Sequence, residues 1–182
     1  VDFIVWPPDD NYLFIANAGA DDFMCTPSAY TLNPILLNAE TSFWTTSGDG
    51  YFDNPSIPNA TYFAGPTDIA IGMVGLTIHA MHSGLNTITD AVNITVLKKA
   101  TASCGTDAFV CQHSPFQNLL ATASDYMSLN WVTSGDGTFD NPTAIHPIYY
   151  PGNMDKLNGS VWLILNATGV SECGTAVDSM NL

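Results

Sequence analysis

The sequence contains no arginine, and its only lysines are Lys98, Lys99 and Lys156. Against 17 Asp and Glu they leave a formal net charge of −14 at pH 7. A nucleic-acid-binding face needs clustered basic side chains that displace counterions from phosphates, so nucleic acid is excluded as a partner, and anionic membrane surfaces are poor ones. No apolar run reaches the roughly 20 residues of a membrane-crossing helix, and membrane insertion is not expected. Charged residues amount to only 11% of the chain, yet the hydrophobic fraction of 46% is that of a packed domain, which excludes the disordered acidic class. There is no C-x-x-C pair, no G-x-S-x-G, no H-E-x-x-H and no Walker-type glycine loop. No catalytic, cofactor-binding or metal-binding residue is therefore expected, and the chain does not read as an enzyme. No cleavable signal peptide opens it, and Val1 reads as the start of a mature or excised product.

What is there is a duplication. Trp44–Pro55 reads WTTSGDGYFDNP and Trp131–Pro142 reads WVTSGDGTFDNP, identical at 10 of 12 columns at an offset of 87 residues. The same offset carries Tyr62 onto Tyr149, Gly65 onto Gly152, Asp68 onto Asp155 and Val74 onto Val161, while Cys25 falls on Cys111 at 86. Two units follow, expected over 20–100 and 101–182 behind an extended segment over 1–19. Within each unit short β-prone runs alternate with Gly, Pro, Asn and Asp clusters, and no stretch holds a helical apolar period. Val74, Leu76, Ile78 and Ala80 fall on alternate positions, as do Val161, Leu163, Leu165 and Ala167, and as do Val92, Ile94 and Val96. Such alternation is the mark of strands with one buried face, so the fold class is all-β, with Trp44 and Trp131 as core plugs.

The block W-x-T-S-G-D-G-x-F-D-N-P, followed by a Tyr, a Gly and an L-x-[IL]-x-A strand, resembles the tandem immunoglobulin-like repeats of bacterial cell-surface and secreted proteins. The resemblance spans roughly residues 20–182 and implies two tandem immunoglobulin-like β-sandwich domains serving as stalk, spacer or adhesive modules. It also implies a cysteine near the first strand and another near the last, which matches Cys111 and Cys173, with Cys25 and Cys104 as the second pair. Four cysteines permit three pairings. Their even number points to an oxidising, extracellular setting or the cell surface.

The repeated loop gathers Asp49 and Asp53 in one unit and Asp136 and Asp140 in the other. Such carboxylates could contribute to a calcium site, but the EF-hand spacing is absent, and the plainer reading is that they close turns on backbone N–H groups. Paired carboxylates for glycoside hydrolysis would need a cleft, which nothing in the sequence shows. His79 and His82 are three apart, the first projecting from a strand and the second in the turn after it. Sequons at Asn59, Asn93, Asn158 and Asn166 fall in predicted loops or on outward strand faces, where glycans would stand in solvent.

The ends carry the functional expectation. Val1, Phe3, Ile4, Val5 and Trp6 are too apolar for a free tail, and Tyr12–Ile15 aligns with the linker ahead of the second unit. Asp178 aligns with Asp90 at an offset of 88, so Leu182 corresponds to Ile94 and the last strand of the second unit is expected to present a short or open edge. An apolar extended segment and an open edge are complementary, and such a head-to-tail contact propagates into a filament unless it closes. The reading is a protomer of an extracellular filament or surface fibre, assembled from copies of itself by donation of the Val1–Trp6 strand. Two other readings stand beside it: the segment folds back on its own chain, or the sequence is a slice of a longer tandem array. The competing function is a cell-surface adhesin or carbohydrate-binding module, with Trp162, Tyr149 or Tyr150 facing a glycan.

Overall fold

The computed structural model describes residues 2–5, as backbone, and 13–182. The chain divides into two compact units, Val1–Lys98 and Lys99–Leu182. Each is a β-sandwich, and the two are built on the same plan.

Unit one contains β1 (Asp2–Val5), β2 (Leu13–Asn17), β3 (Asp22–Thr26), β4 (Tyr30–Thr31), β5 (Ile35–Leu37), β6 (Thr41–Thr46), β7 (Tyr51–Phe52), β8 (Thr61–Phe63), β9 (Met73–Met81) and β10 (Ile88–Lys98). A four-stranded sheet runs β3-β10-β9-β6, and three-stranded sheets run β1-β2-β5 and β4-β8-β7. In β9 and β10 the expected alternation holds: Val74, Leu76, Ile78, Ala80, Val92, Ile94 and Val96 are all buried. They pack with Phe14 and Ala16 of β2, Trp44 of β6 and Tyr62 of β8 in a single core. Burial of each large side chain stabilises the unit by roughly 1.5–3 kcal/mol. β3 is the exception to antiparallel pairing, lying parallel to β10 with Asp22 opposite Ile94 and Thr26 opposite Lys98.

Unit two contains β11 (Thr101–Ser103), β12 (Phe116–Gln117), β13 (Thr122–Ser124), β14 (Ser128–Thr133), β15 (Thr138–Phe139), β16 (Ile148–Tyr150), β17 (Trp162–Thr168) and β18 (Thr175–Asn181). Its sheets are β14-β17-β18, β12-β16-β15 and β11-β13. Trp131, Tyr149, Val161, Leu163, Leu165, Ala167 and Met180 form its core.

Among the described residues each unit also holds one short α-helix, α1 (Pro66–Ile71) and α2 (Asn153–Asn158), where the sequence pattern predicted none. Six residues are too few to display a 3.6-residue apolar period. Both helices are instead fixed at their ends, closing on Gly72 and Gly159 with φ of 84° and 74°, a left-handed conformation that side chains resist.

The N-terminal expectation meets a specific arrangement. Asp2–Val5 pairs antiparallel with Leu13–Ala16 of the same chain, in the register Asp2 to Ala16 and Val5 to Leu13. Phe3, Ile4 and Val5 thus form an edge strand of their own unit, whereas Val1 and Trp6 lie outside the described residues. Neither expected disulfide is formed: Cys104 and Cys111 are free thiols, and Cys25 and Cys173 are the disulfide-bonded cysteines. The reason is placement. Cys104 is drawn into the core of unit two, its thiol donating to the Asp178 carbonyl at 3.2 Å, and Cys111 sits exposed. Burial pushes the Cys104 thiol up to about 11.

Candidate functional site

The repeated block builds a polar knot at one end of each sandwich. The helix α1 begins with Pro66, which lacks an N–H, so its orphan donors are those of Thr67 and Asp68. Asp49, from the SGDG loop, accepts both, from Thr67 N at 3.0 and 3.1 Å and from Asp68 N at 3.2 Å. The carboxylate caps the helix from a distant loop, and the positive end of the helix favours its charge.

Asp68 returns the contact. Buried at 1% exposure, it accepts Tyr62 OH at 2.6 Å, Gly65 N at 3.0 Å, Gly50 N at 3.2 Å and Asp49 N at 3.3 Å. Thr46 in turn bonds the Tyr62 hydroxyl at 2.9 Å and accepts Gly48 N at 3.0 Å. A Cβ on Gly48 would collide with Asp68 Oδ1, so only glycine lets the loop approach. Unit two repeats the arrangement: Tyr149 OH donates to Asp155 at 2.5 Å, Gly152 N at 2.9 Å, and Asp136 accepts Met154 N at 3.0 Å and Asp155 N at 3.2 Å.

Each remaining column of the block has a partner. Asp53 accepts Thr61 N at 2.8 Å and Asn54 N at 2.7 Å, and Asp140 accepts Ile148 N and Asn141 N, each at 2.7 Å. The carbonyls of Pro55 and Pro142 each accept the backbone N–H of the block's tryptophan at 2.8 Å.

These bonds leave an electrostatic signature. The Thr67 N–H, with that of Asp68, holds the Asp49 carboxyl below the usual carboxylate range, and the Met154 N–H does the same for Asp136. Burial, reinforced by the bonds to Asp68 and Asp155, pushes Tyr62 and Tyr149 up to about 12. The four aspartates close turns and a helix end with their oxygens. Among the described residues no group of three or more His, Cys, Asp or Glu side chains is placed to hold a metal ion. His79 stacks on Phe43 at 4.5 Å and bonds Thr45, whereas His82 bonds the Asn38 carbonyl, so the two histidines do not share a task.

Of the aromatics expected on the surface, Tyr150 and Trp162 are each 48% exposed, but Tyr149 is fully buried. Alternation along β16 turns Tyr149 inward, where Asp155 satisfies its hydroxyl. Asn59, Asn93 and Asn166 donate their side-chain amides to Leu32 O, Asp21 and Asn130 O respectively. Asn158 ends α2 and is exposed.

The second feature is an edge of unit two. In both units an aspartate ahead of the first long segment accepts a backbone N–H from the last strand, Asp21 from Asn93 at 2.9 Å and Asp107 from Asn181 at 2.8 Å. In both units the segment also ends in the same turn, Ser28 N to Cys25 O and Ser114 N to Cys111 O, each at 2.8 Å. Between these points unit one forms the parallel β3/β10 ladder. Unit two forms the bond from Ala108 N to Asn181 O at 3.0 Å, and the positions that would pair with residues 109–112 fall after Leu182, the last residue of the sequence. Phe109 is 99% exposed, whereas its counterpart Phe23 is 40% exposed. Beside this segment lies a cavity of about 240 Å³ lined by Val110, Gln112, Lys156, Gly159, Val161 and Leu182.

No family model matches the chain, and no curated protein matches its sequence. Among solved structures, the insect immune protein hemolin superposes with a TM-score of 0.56 at 12% identity, over 95% of this chain and 48% of hemolin. The chain thus spans about half the length of the hemolin chain. Extracellular cadherin domains 3–6 of protocadherin gamma B2 match with a TM-score of 0.40 at 8% identity, over 93% of this chain and 46% of that one. The fold assignment rests on hemolin: the chain is two tandem immunoglobulin-like β-sandwich domains. No helix among the described residues is long and apolar enough to cross a membrane.

Proposed function

We propose that the protein is a structural protomer of an extracellular filament or surface fibre, in which units of the bacterial cell-surface repeat type join head to tail by strand addition, the Val1–Trp6 segment of one subunit serving the next. The carrying observation is the edge position of β1: Asp2–Val5 lies extended at one side of the β1-β2-β5 sheet, held by four residue pairs. Unpaired backbone donors and acceptors on a sheet edge accept an added strand, and a heterologous contact of this kind repeats without closing. Disulfide-bonded Cys25 and Cys173, a scarcity of lysine for trypsin-like cleavage and an exposed sequon at Asn158 suit an extracellular setting. Hemolin, whose structure carries implications for homophilic adhesion, offers a parallel for self-association. Electron microscopy of the native chain beside a form lacking Val1–Trp6 tests the reading. Filaments that disappear with the deletion support it, and monodisperse particles in both samples overturn it.

The exposure of Trp162 and Tyr150 favours a second reading, a glycan-binding adhesive module. It predicts that Trp162→Ala abolishes retention on a polysaccharide column and leaves oligomer size unchanged.

A further inference from the structure

The duplication provides a control for the outward face of the sheet β14-β17-β18. Alternation turns Leu129, Trp131, Leu163, Leu165 and Ala167 into the core of unit two, and the residues between them face out. On that face Val132 stands opposite Ile164, Trp162 lies two residues before Ile164 on the same strand, and Val177 stands opposite Asn166. Val132, Trp162 and Val177 are 39%, 48% and 59% exposed. The corresponding positions of unit one hold Thr45, Gly75 and Thr89, with Thr77 in place of Ile164. A Cβ on Gly75 would come no closer than 3.4 Å to a neighbour, Ser47 Oγ, so unit one has room for a side chain there and does without one. The same sheet forms without these four apolar residues, and the fold does not require them.

The face is also uncharged. None of the outward residues of the three strands is Asp, Glu, Lys or His, in a chain whose formal net charge is −14. Asp178 turns inward and accepts the Cys104 N–H at 2.7 Å, and Asp107, at the border, accepts the Asn181 N–H at 2.8 Å. Amides and hydroxyls rim the apolar centre: Asn166 donates to the Asn130 carbonyl at 3.2 Å, and Ser179 stands opposite Ile164. A pyranose ring buries its C–H face against an indole and directs its hydroxyls to such amides, whereas an anionic chain would be repelled by the net charge. Size argues against a second copy of the chain. Even a four-stranded sheet of seven-residue strands, the width of the unit-one sheet, presents a face of roughly 450 Å², against about 800 Å² per partner in a stable protein interface.

We propose that the outward face of β14-β17-β18 binds a neutral, extended polysaccharide, with Trp162 as the stacking platform and Val132, Ile164 and Val177 continuing it across the strands. The proposal rests on the glycan-binding reading above and names the ligand class and its footprint. Tyr150 belongs to β16 in a different sheet and takes no part.

The test is affinity electrophoresis of the full chain in hydroxyethylcellulose, galactomannan and dextran, with carboxymethylcellulose and alginate as anionic counterparts. Retardation by at least one neutral polymer and by neither anionic one is expected, and Trp162→Ala and Val177→Asp should each weaken it by about tenfold or more. Val177 is more than half exposed, so its replacement leaves the fold intact, which an unchanged far-UV circular dichroism spectrum checks. Retardation that survives both variants and is lost with Tyr150→Ala would overturn the face while leaving glycan binding standing. Retardation by no neutral polymer would overturn both. Equal retardation by hydroxyethylcellulose and carboxymethylcellulose would overturn the neutral class. A dimer in sedimentation equilibrium that Val177→Asp dissolves, with no retardation by a neutral polymer, would put a second copy on the face instead. A glycan found by mass spectrometry on Asn166 of the native chain would cover the face and overturn the proposal as well.

Discussion

The two units share a knot and differ in the core packed around it. Asp49 and Asp68 in unit one and Asp136 and Asp155 in unit two hold helix, loop and tyrosine together in the same way. Around that shared frame the units diverge. Phe14 fills the core of unit one from β2, where the corresponding residue of unit two is Ala100. Trp44 donates its indole N–H to the Pro58 carbonyl at 2.8 Å, whereas the indole N–H of Trp131 is buried with no acceptor among the described residues. The comparison separates what the fold needs, which is duplicated, from how each unit fills its core, which is not.

The sharpest way to break this comparison is to remove the shared knot. Asp68→Ala removes the acceptor of three backbone donors and one of the two partners of the Tyr62 hydroxyl, and Asp155→Ala does the same for two backbone donors and the Tyr149 hydroxyl in unit two. Each should destabilise its own unit by about 4–5 kcal/mol, since buried polar groups then lose their partner. Denaturant titration read through Trp44 for one unit, and Trp131 with Trp162 for the other, measures the two separately. Unequal losses would show that the knot is not equivalent.

Phe14→Ala makes unit one resemble unit two at that position and should cost about 3–5 kcal/mol in unit one alone. Retention of full stability would mean that β2 is dispensable there. Smaller still is the indole contrast. Trp44→Phe loses a satisfied bond, while Trp131→Phe removes an unsatisfied donor, so the first should be worse by about 1–2 kcal/mol after allowance for equal loss of ring area. Equal effects would place an acceptor at Trp131 after all.

The pH response should be similar in both units. Tyr62 and Tyr149 titrate near 12 when folded, above the ordinary value of 10, so their contribution is complete below pH 10 and is lost as pH rises toward 12. The depressed carboxyls of Asp49 and Asp136 act in the opposite sense, contributing above their ordinary 3.8 and losing that contribution as pH falls through their lower folded values. A stability profile that declines in one unit only, at either extreme, would contradict the equivalence of the knots.

Much of the frame was readable in advance. Alternation over Val74–Ala80 and Val161–Ala167 identified the core strands because a period of two is a local property. The turn role of Asp49, Asp53, Asp136 and Asp140 was readable from residue type, since short carboxylates bond nearby backbone N–H groups. Asp68 and Asp155 were marked only as repeated columns, and no local signal told that they are the buried hubs. In the sequence Tyr149 reads as a surface aromatic, because the facing of a three-residue strand is too short to read.

The sequence by itself determined the duplication, the all-β class and the turn role of Asp49, Asp53, Asp136 and Asp140, all of which depend on composition or on spacing along the chain. Only the tertiary structure decided which cysteines are bonded, that Asp2–Val5 pairs within its own unit, and that Asp68 and Asp155 are the buried hubs. These are matters of which distant segments meet. Cys104 shows the reason: its distance from Cys25 along the chain says nothing of the core that draws it in toward Asp178.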